Sequence, residues 1–210
     1  NAQTGLGFQP DWVWLKGRSN SGSHKLMDAV RGSSSSLCTN NSNAAEGADY
    51  FSSFDSNGFT VNGTSNDINA NGQTYVGWNW KANGQGSANT DGTVNSTYTS
   101  ASSTSGFSIV KWTHTTSGNY TVGHGLNATP KMIIVKTTSA TTNWGVYHSA
   151  LTVGQRLILN SNSAQTTGYW GANAWNNNTF SIGSNRDSNG TTMIAYCFAD
   201  VQGFSKIGSY

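Results

Sequence analysis

Nine carboxylates stand among the 210 residues, and only one of them, Glu46, is a glutamate. Acid/base work on glycans needs two carboxyl groups facing each other across a cleft. The best pair this sequence offers is Asp49 with Asp55, flanked by Tyr50, Phe51 and Phe54; loop aspartates that cap turns are the plainer reading. Serine is abundant, yet no G-x-S-x-G elbow occurs, and Gly17–Gly22 (GRSNSG) reads as a polar turn. Asp67–Gly72 (DINANG) matches the opening of a calcium loop, but Trp78 occupies the position where a bidentate Glu belongs. In the later Asn185–Gly190 (NRDSNG), Arg186 would stand beside any ion. His24, His114, His124 and His148 lack ligand spacing. No catalytic residue, metal or cofactor is expected, and the chain is read as no enzyme.

The aromatic residues carry more information. Uncharged sugars are held by flat rings with amide and hydroxyl groups around the rim. Thr166–Asn177 (TTGYWGANAWNN) sets Tyr169, Trp170 and Trp175 in a Gly/Asn-rich loop, and Tyr50, Phe51 and Phe54 occupy the comparable stretch nearer the N-terminus. The candidate ligand contacts are therefore Tyr169, Trp170, Asn173, Trp144 and Tyr50, with loop packing or a subunit contact as the alternative. Trp12, Trp14, Trp78 and Trp80 are read as core.

The elements that position these rings come from a repeat. Pro10–Lys16 (PDWVWLK) aligns with Pro130–Lys136 (PKMIIVK) at an offset of 130 − 10 = 120, and Leu37–Asn40 aligns with Leu157–Asn160 at the same offset. Phe59–Val61 meets Phe180–Ile182 after one insertion, and Asn71–Trp80 meets Asn189–Phe198 at 189 − 71 = 118. Trp12–Lys16 and Met132–Lys136 are short apolar runs typical of strands buried on both faces. Asn71-Gly72 and Asn189-Gly190 predict tight hairpin turns. In the strands that follow them, Val76, Trp78 and Trp80, and likewise Ile194, Tyr196 and Phe198, share a core-facing side. The fold class is thus all-β, with two duplicated antiparallel β-sandwich units (jelly-roll or lectin-like) and very little helix. The boundaries are 1–82 for unit one, 83–105 for a polar linker or surface segment, 106–202 for unit two and 203–210 for a terminal strand. Gly106–Trp112 opens unit two as a strand that turns at Ser117–Asn119 and returns through Tyr120; unit one lacks it. Gly203–Tyr210 (GFSKIGSY) resembles Gly106–Thr113 (GFSIVKWT), so it is expected to complete unit one, or a neighbouring subunit, by strand addition.

Charged residues make up only 10% of the chain, well under the roughly 25% usual for soluble domains. The surface must then be polar but largely uncharged. The formal charge is +2 and the basic residues do not cluster, which argues against a nucleic-acid partner. No apolar run approaches the roughly 20 residues of a membrane helix, and Asn1–Thr4 has neither a charged n-region nor an apolar h-region. The missing initiator Met points to processing or excision. Cys38 and Cys197 could form at most one bridge. Sequons at Asn62, Asn95, Asn119, Asn127 and Asn177 are what an Asn/Ser/Thr-rich chain produces by chance.

A family resemblance rests on Asn89–Ser96 (NTDGTVNS), Gly106–Lys111 (GFSIVK), Val122–Leu126 (VGHGL), Pro130–Lys136, Val146–His148 (VYH), Ala174–Asn176 (AWN), Ile194–Ala199 (IAYCFA) and Gly203–Lys206 (GFSK). Together these resemble a repeat domain of large virion-associated proteins of marine tailed bacteriophages, cyanophage-like ones included. Gly7–Lys16 and Tyr75–Lys81 resemble its other half. The resemblance implies a tail-fibre-like or surface appendage module on the virion, exposed to the extracellular medium, with no established enzymatic activity and no catalytic set to carry over. Its expected partners are other virion proteins or copies of itself, a trimer included, and a host surface glycan. A purely structural fibre-building or capsid-decorating module is the first alternative, and a glycan-degrading enzyme of lectin-like fold the second.

Overall fold

A computed structural model describes residues 1–48, 50–115, 118–171, 175–183 and 186–209. It is all-β. In chain order the strands are β1 (Ala2–Thr4), β2 (Trp12–Gly17), β3 (Lys25–Asp28), β4 (Ser35–Cys38), β5 (Glu46–Gly47), β6 (Phe51–Asp55), β7 (Gly58–Val61) and β8 (Tyr75–Trp80). They continue as β9 (Tyr98–Ser102), β10 (Phe107–Thr113), β11 (Tyr120–Gly123), β12 (Met132–Thr137), β13 (Gly145–His148), β14 (Leu157–Ile158), β15 (Thr179–Ile182) and β16 (Thr192–Phe198). Every pairing among these strands is antiparallel.

The strands form four sheets, ordered β1-β7-β6, β5-β4-β3-β2-β8, β14-β13-β12-β16-β10-β9 and β11-β15. Side chains alternate across a strand, and that alternation stacks the sheets into a sandwich-like pile. From β2, Val13 and Leu15 face one way, meeting Phe51, Phe59 and Val61 of the three-stranded sheet. Trp12 faces the other way, meeting Phe107, Ile134, Tyr196 and Phe198 of the six-stranded sheet. That sheet's far face, with Val110, Ile133, Val135 and Ala195, packs on Val122, Phe180 and Ile182 of β11-β15. The two halves of the chain thus share the middle core.

The pairings repeat from half to half. Trp14 stands opposite Trp78 on one side and Leu26 on the other; Ile134 stands opposite Tyr196 and Val146. All six β2–β8 pairs map onto the six β12–β16 pairs at offsets of 120 and 118, and the β3–β4 register maps onto β13–β14. Likewise β1 on β7 maps onto β11 on β15.

Several sequence expectations change here. Residues 83–105 do not separate two modules: β9 lies within them and pairs along β10, with Ser87 and Thr99 bridged beside it. Their polar composition reflects an edge position, not freedom from the core. The two Asn-Gly turns exist, closed by Gln73 N–H to Ala70 O and Thr191 N–H to Ser188 O at 3.3 Å each. Only their glycines adopt positive φ, 75° at Gly72 and 81° at Gly190, so they carry the chain between sheets instead of closing two-residue hairpins. β10 and β11 also lie in different sheets. Residues 203–209 form no strand: Val201 bridges Ser205, and Ile207 N–H reaches Asp200 Oδ1 at 2.8 Å. Tyr210 lies outside the described residues. Both cysteines are free and buried.

Candidate functional site

The rings chosen from sequence as ligand contacts do not converge. Tyr169 and Trp170 are 2% and 7% exposed and belong to the core under β11-β15. Tyr169 lies under the Arg156 and Arg186 guanidiniums, 4.5 and 4.2 Å from its ring centroid, and its hydroxyl donates to Val135 O. Trp144 is sealed in the middle core, its indole N–H on Cys38 O at 3.0 Å. Tyr50 is half-buried beside Lys25 in the opposite half, and Asn173 lies outside the described residues. An exposed aromatic platform at Tyr169 and Trp170 is therefore ruled out: both rings lie in the core, and the half-buried Trp175 stacks on Tyr147 at 4.0 Å.

The polar candidates are likewise occupied. Asp55 takes hydrogen bonds from Ser53 and Thr60, which hold its carboxyl below the usual range; Asp49 lies outside the described residues. Asp67 accepts from Ser23 N–H and pairs with Lys25, while Asn69 donates to Gly63 O. The calcium-like loop is folded onto protein groups, and no metal-ligand cluster occurs among the described residues. Burial alone would depress the Lys25 ammonium, but hydrogen bonds to Tyr50 and Cys38 outweigh it and raise its pKa. Asp28, Arg31 and Tyr196 form a buried bridge between the halves: Arg31 Nε to Asp28 at 2.6 Å and Tyr196 O–H to the same oxygen at 2.7 Å.

What remains open is the edge of β8. Trp78, expected in the core, is 43% exposed, and Trp14 and Trp80 are half-buried. The reason is topological: β16 is covered by β10 and then β9, whereas β8 ends its sheet. Trp12, Trp14, Trp78 and Trp80 line a cavity of about 370 Å³ with Met132, Ile134 and Ile207. Trp14 and Trp78 lie 5.5 Å apart, and Trp14 is fixed by its indole N–H on Thr39 Oγ1. On the other side of the same strand, Tyr75 and Gly77 border a second cavity of about 590 Å³ reaching Leu15, Phe59 and Ile68.

The alternation of the ladder decides which backbone groups face this edge. Arg18 N–H bonds Thr74 O, so Val76, Trp78 and Trp80 turn their N–H and C=O groups to β2. Tyr75, Gly77 and Asn79 turn theirs outward. Among the described residues the one hydrogen bond made to this edge is from Asn79 Nδ2 to Gly77 O, at 3.3 Å. A sequence signal for this existed: Tyr75, Gly77 and Asn79 stand where Met193, Ala195 and Cys197 make a wholly apolar row.

A family model for a domain of unknown function, DUF7483, matches residues 1–210. The chain belongs to the DUF7483 family. No curated protein and no solved structure matches it. For this DUF7483 chain the site must be read from its own chemistry. Groups able to adsorb rings or to continue a sheet are present at β8, and among the described residues the only titratable side chain lining the aromatic cavity is Lys206.

Proposed function

We propose that this chain is a non-catalytic structural module of a virion surface appendage, fibre-like, that assembles with further copies or with other virion proteins. The sequence resemblance to phage virion repeats supports the setting. One observation carries the assembly part: the edge of β8 is uncovered where the equivalent edge of β16 lies under two further strands. Unpaired edges are templates for another chain, and proteins that remain monomeric blunt them with charge, proline or a covering loop. Tyr75–Trp80 contains neither charge nor proline. Light scattering across a concentration series tests this. A homo-oligomer is expected, either a closed trimer or an open head-to-tail series; a monomer at every concentration that also captures no virion protein overturns it. Antibodies against the chain should label intact virus particles.

A second reading follows from Trp78, the exposed ring at the mouth of the tryptophan cavity. Such a groove suits a host surface glycan, stacked on Trp78 with Trp14 and Trp80 behind it. Glycan-array binding that disappears in Trp78→Ala but survives Trp170→Phe supports this reading, and an array without hits removes it. Host polysaccharide should release no reducing ends on incubation; their release would make the chain an enzyme.

A further inference from the structure

We infer that the open edge of β8 accepts residues 203–209 of a second copy of this chain as an added antiparallel strand, so that copies join head to tail. This rests on the assembly reading above and names the segment that does the joining.

The second half supplies the template. There β10 runs along β16 with Phe107 opposite Phe198, Ile109 opposite Tyr196 and Trp112 opposite Met193. Its side chains fill both flanks: Phe107 and Ile109 enter the middle core, while Val110 and Trp112 enter the outer one. Trp112 lies against Phe180, 5.6 Å between rings. In the first half β8 takes the place of β16 and Phe59 the place of Phe180, and among the described residues no strand takes the place of β10. The cavities on the two flanks of β8 lie where the side chains of such a strand would go, and the one beside Phe59 corresponds to the space that Val110 and Trp112 fill.

Residues 203–209 carry the matching sequence. Gly203-Phe204-Ser205 repeats Gly106-Phe107-Ser108, and both glycines enter the motif with positive φ, 77° and 64°. In the register of β10, Phe204 faces Trp80, Lys206 faces Trp78 and Ile207 faces Gly77. Ile207 then enters the cavity beside Leu15 and Phe59. Lys206 replaces the sealed Ile109, and it lies over the half-exposed indole of Trp78, where an ammonium is favoured by the ring face. In its own chain the segment forms no strand. Phe204 is 63% exposed, and the contacts to release are the Ile207 and Lys206 bonds to Asp200, the Val201–Ser205 bridge with the Phe204 N–H on Val201 O, the Ser205 hydroxyl on Ala199 O, and the packing of Ile207 on the middle core. The contact is heterologous, so it propagates instead of closing on a pair.

The probe is a fluorescent peptide of residues 203–210, titrated against the chain lacking residues 203–210, whose folding is checked by circular dichroism. In the proposed register Ile207 N–H bonds Gly77 O, whereas Lys206 N–H points away. An N-methyl group on Ile207 should therefore weaken binding at least tenfold, and one on Lys206 should leave it nearly unchanged. The full chain should gain mass with concentration, Asp200→Ala should associate more tightly, and the truncated chain should stay monomeric. Absence of peptide binding to the folded truncated chain, or equal loss with both N-methyl groups, overturns the inference. So does a monomeric full chain whose Gly77 amide is protected from exchange, because its segment then closes on its own β8. Self-association that survives the truncation sinks the inference and leaves the assembly reading standing.

Discussion

The strands β8 and β16 hold matching registers in the two halves and are finished differently. Each is the last long strand of its half and follows an Asn-Gly turn, and β8 pairs with β2 in the same register as β16 pairs with β12. Tyr196, in the middle of β16, is fully buried; Trp78, its counterpart, is 43% exposed. One extra ribbon, β10 with β9, makes the difference. An aromatic ring's environment is thus set by the neighbour of its strand more than by its own alternation, and the two halves form an internal control for what that neighbour contributes.

The largest expected contrast is mutational. Tyr196→Ala removes a ring at the centre of the middle core and the hydroxyl that bonds Asp28, and should cost about 3–5 kcal/mol in urea denaturation. Trp78→Ala, at the matching site, should cost under about 1 kcal/mol in the monomer while weakening self-association. Equal losses at the two positions would mean that β8 is not an edge in solution. Arg31→Ala tests the bridge between halves. It strands the Asp28 carboxylate, fully buried, without its partner and should also cost about 3–5 kcal/mol. Replacing Arg31 and Asp28 together by Met and Leu should recover most of that loss.

A second contrast is the response to acid. His124 is buried in the second half; its Nε2–H meets Asn176 O at 3.1 Å, and its Nδ1 accepts from Leu126 N–H at 3.2 Å. Burial keeps its pKa below the ordinary 6.5, against weaker support from Asn176 O and Asp91. In the unfolded chain the ring protonates as pH falls through 6.5, while the folded ring stays neutral, so stability is lost on that descent. The equivalent place beside β1 is Gly5, which cannot titrate. Amide protection factors should therefore fall first around β11 and β15 below pH 6.5, and His124→Gln should flatten the dependence. An unchanged pH profile in that variant removes His124 as the cause.

The contrast between halves also marks what the sequence could reveal. The offset of 120 was legible because strands buried on both faces are rich in apolar residues, as at Val13 and Ile133, and that of 118 because the Asn-Gly turns at 71–72 and 189–190 match. The pairing partners were not legible, because alternation gives a strand's faces and says nothing of its neighbours. Hence Trp78 read as core, and β10 read as a hairpin partner of β11 although it pairs with β16. Residues 83–105 read as a polar linker or surface segment because an edge strand such as β9 needs few large side chains. The loop around Tyr169 misled for the opposite reason. Gly168 takes a positive φ of 86° just before the two rings, which are buried, and the Gly145 position leaves no room for a side chain beside the Tyr169 ring.

The smallest expected effect sharpens the comparison most, since it lies on the edge itself. Gly77 and Ala195 are matched residues that turn their backbone groups away from β2 and β12, respectively. Alanine at 77 gains about 0.5–1 kcal/mol from the lost freedom of glycine in a strand. Its Cβ would meet Leu15 Cδ2 at 2.9 Å, a flexible tip beside an open cavity that can give way. Gly77→Ala should therefore be neutral to within about 0.5 kcal/mol in thermal unfolding. Ala195→Gly, beneath β10 and fully buried, loses both the methyl contact and the chain restriction, and should cost about 1–2 kcal/mol. A substantial loss from Gly77→Ala would mean that Leu15 has no space to move, and that the cavity beside Phe59 is already filled in solution.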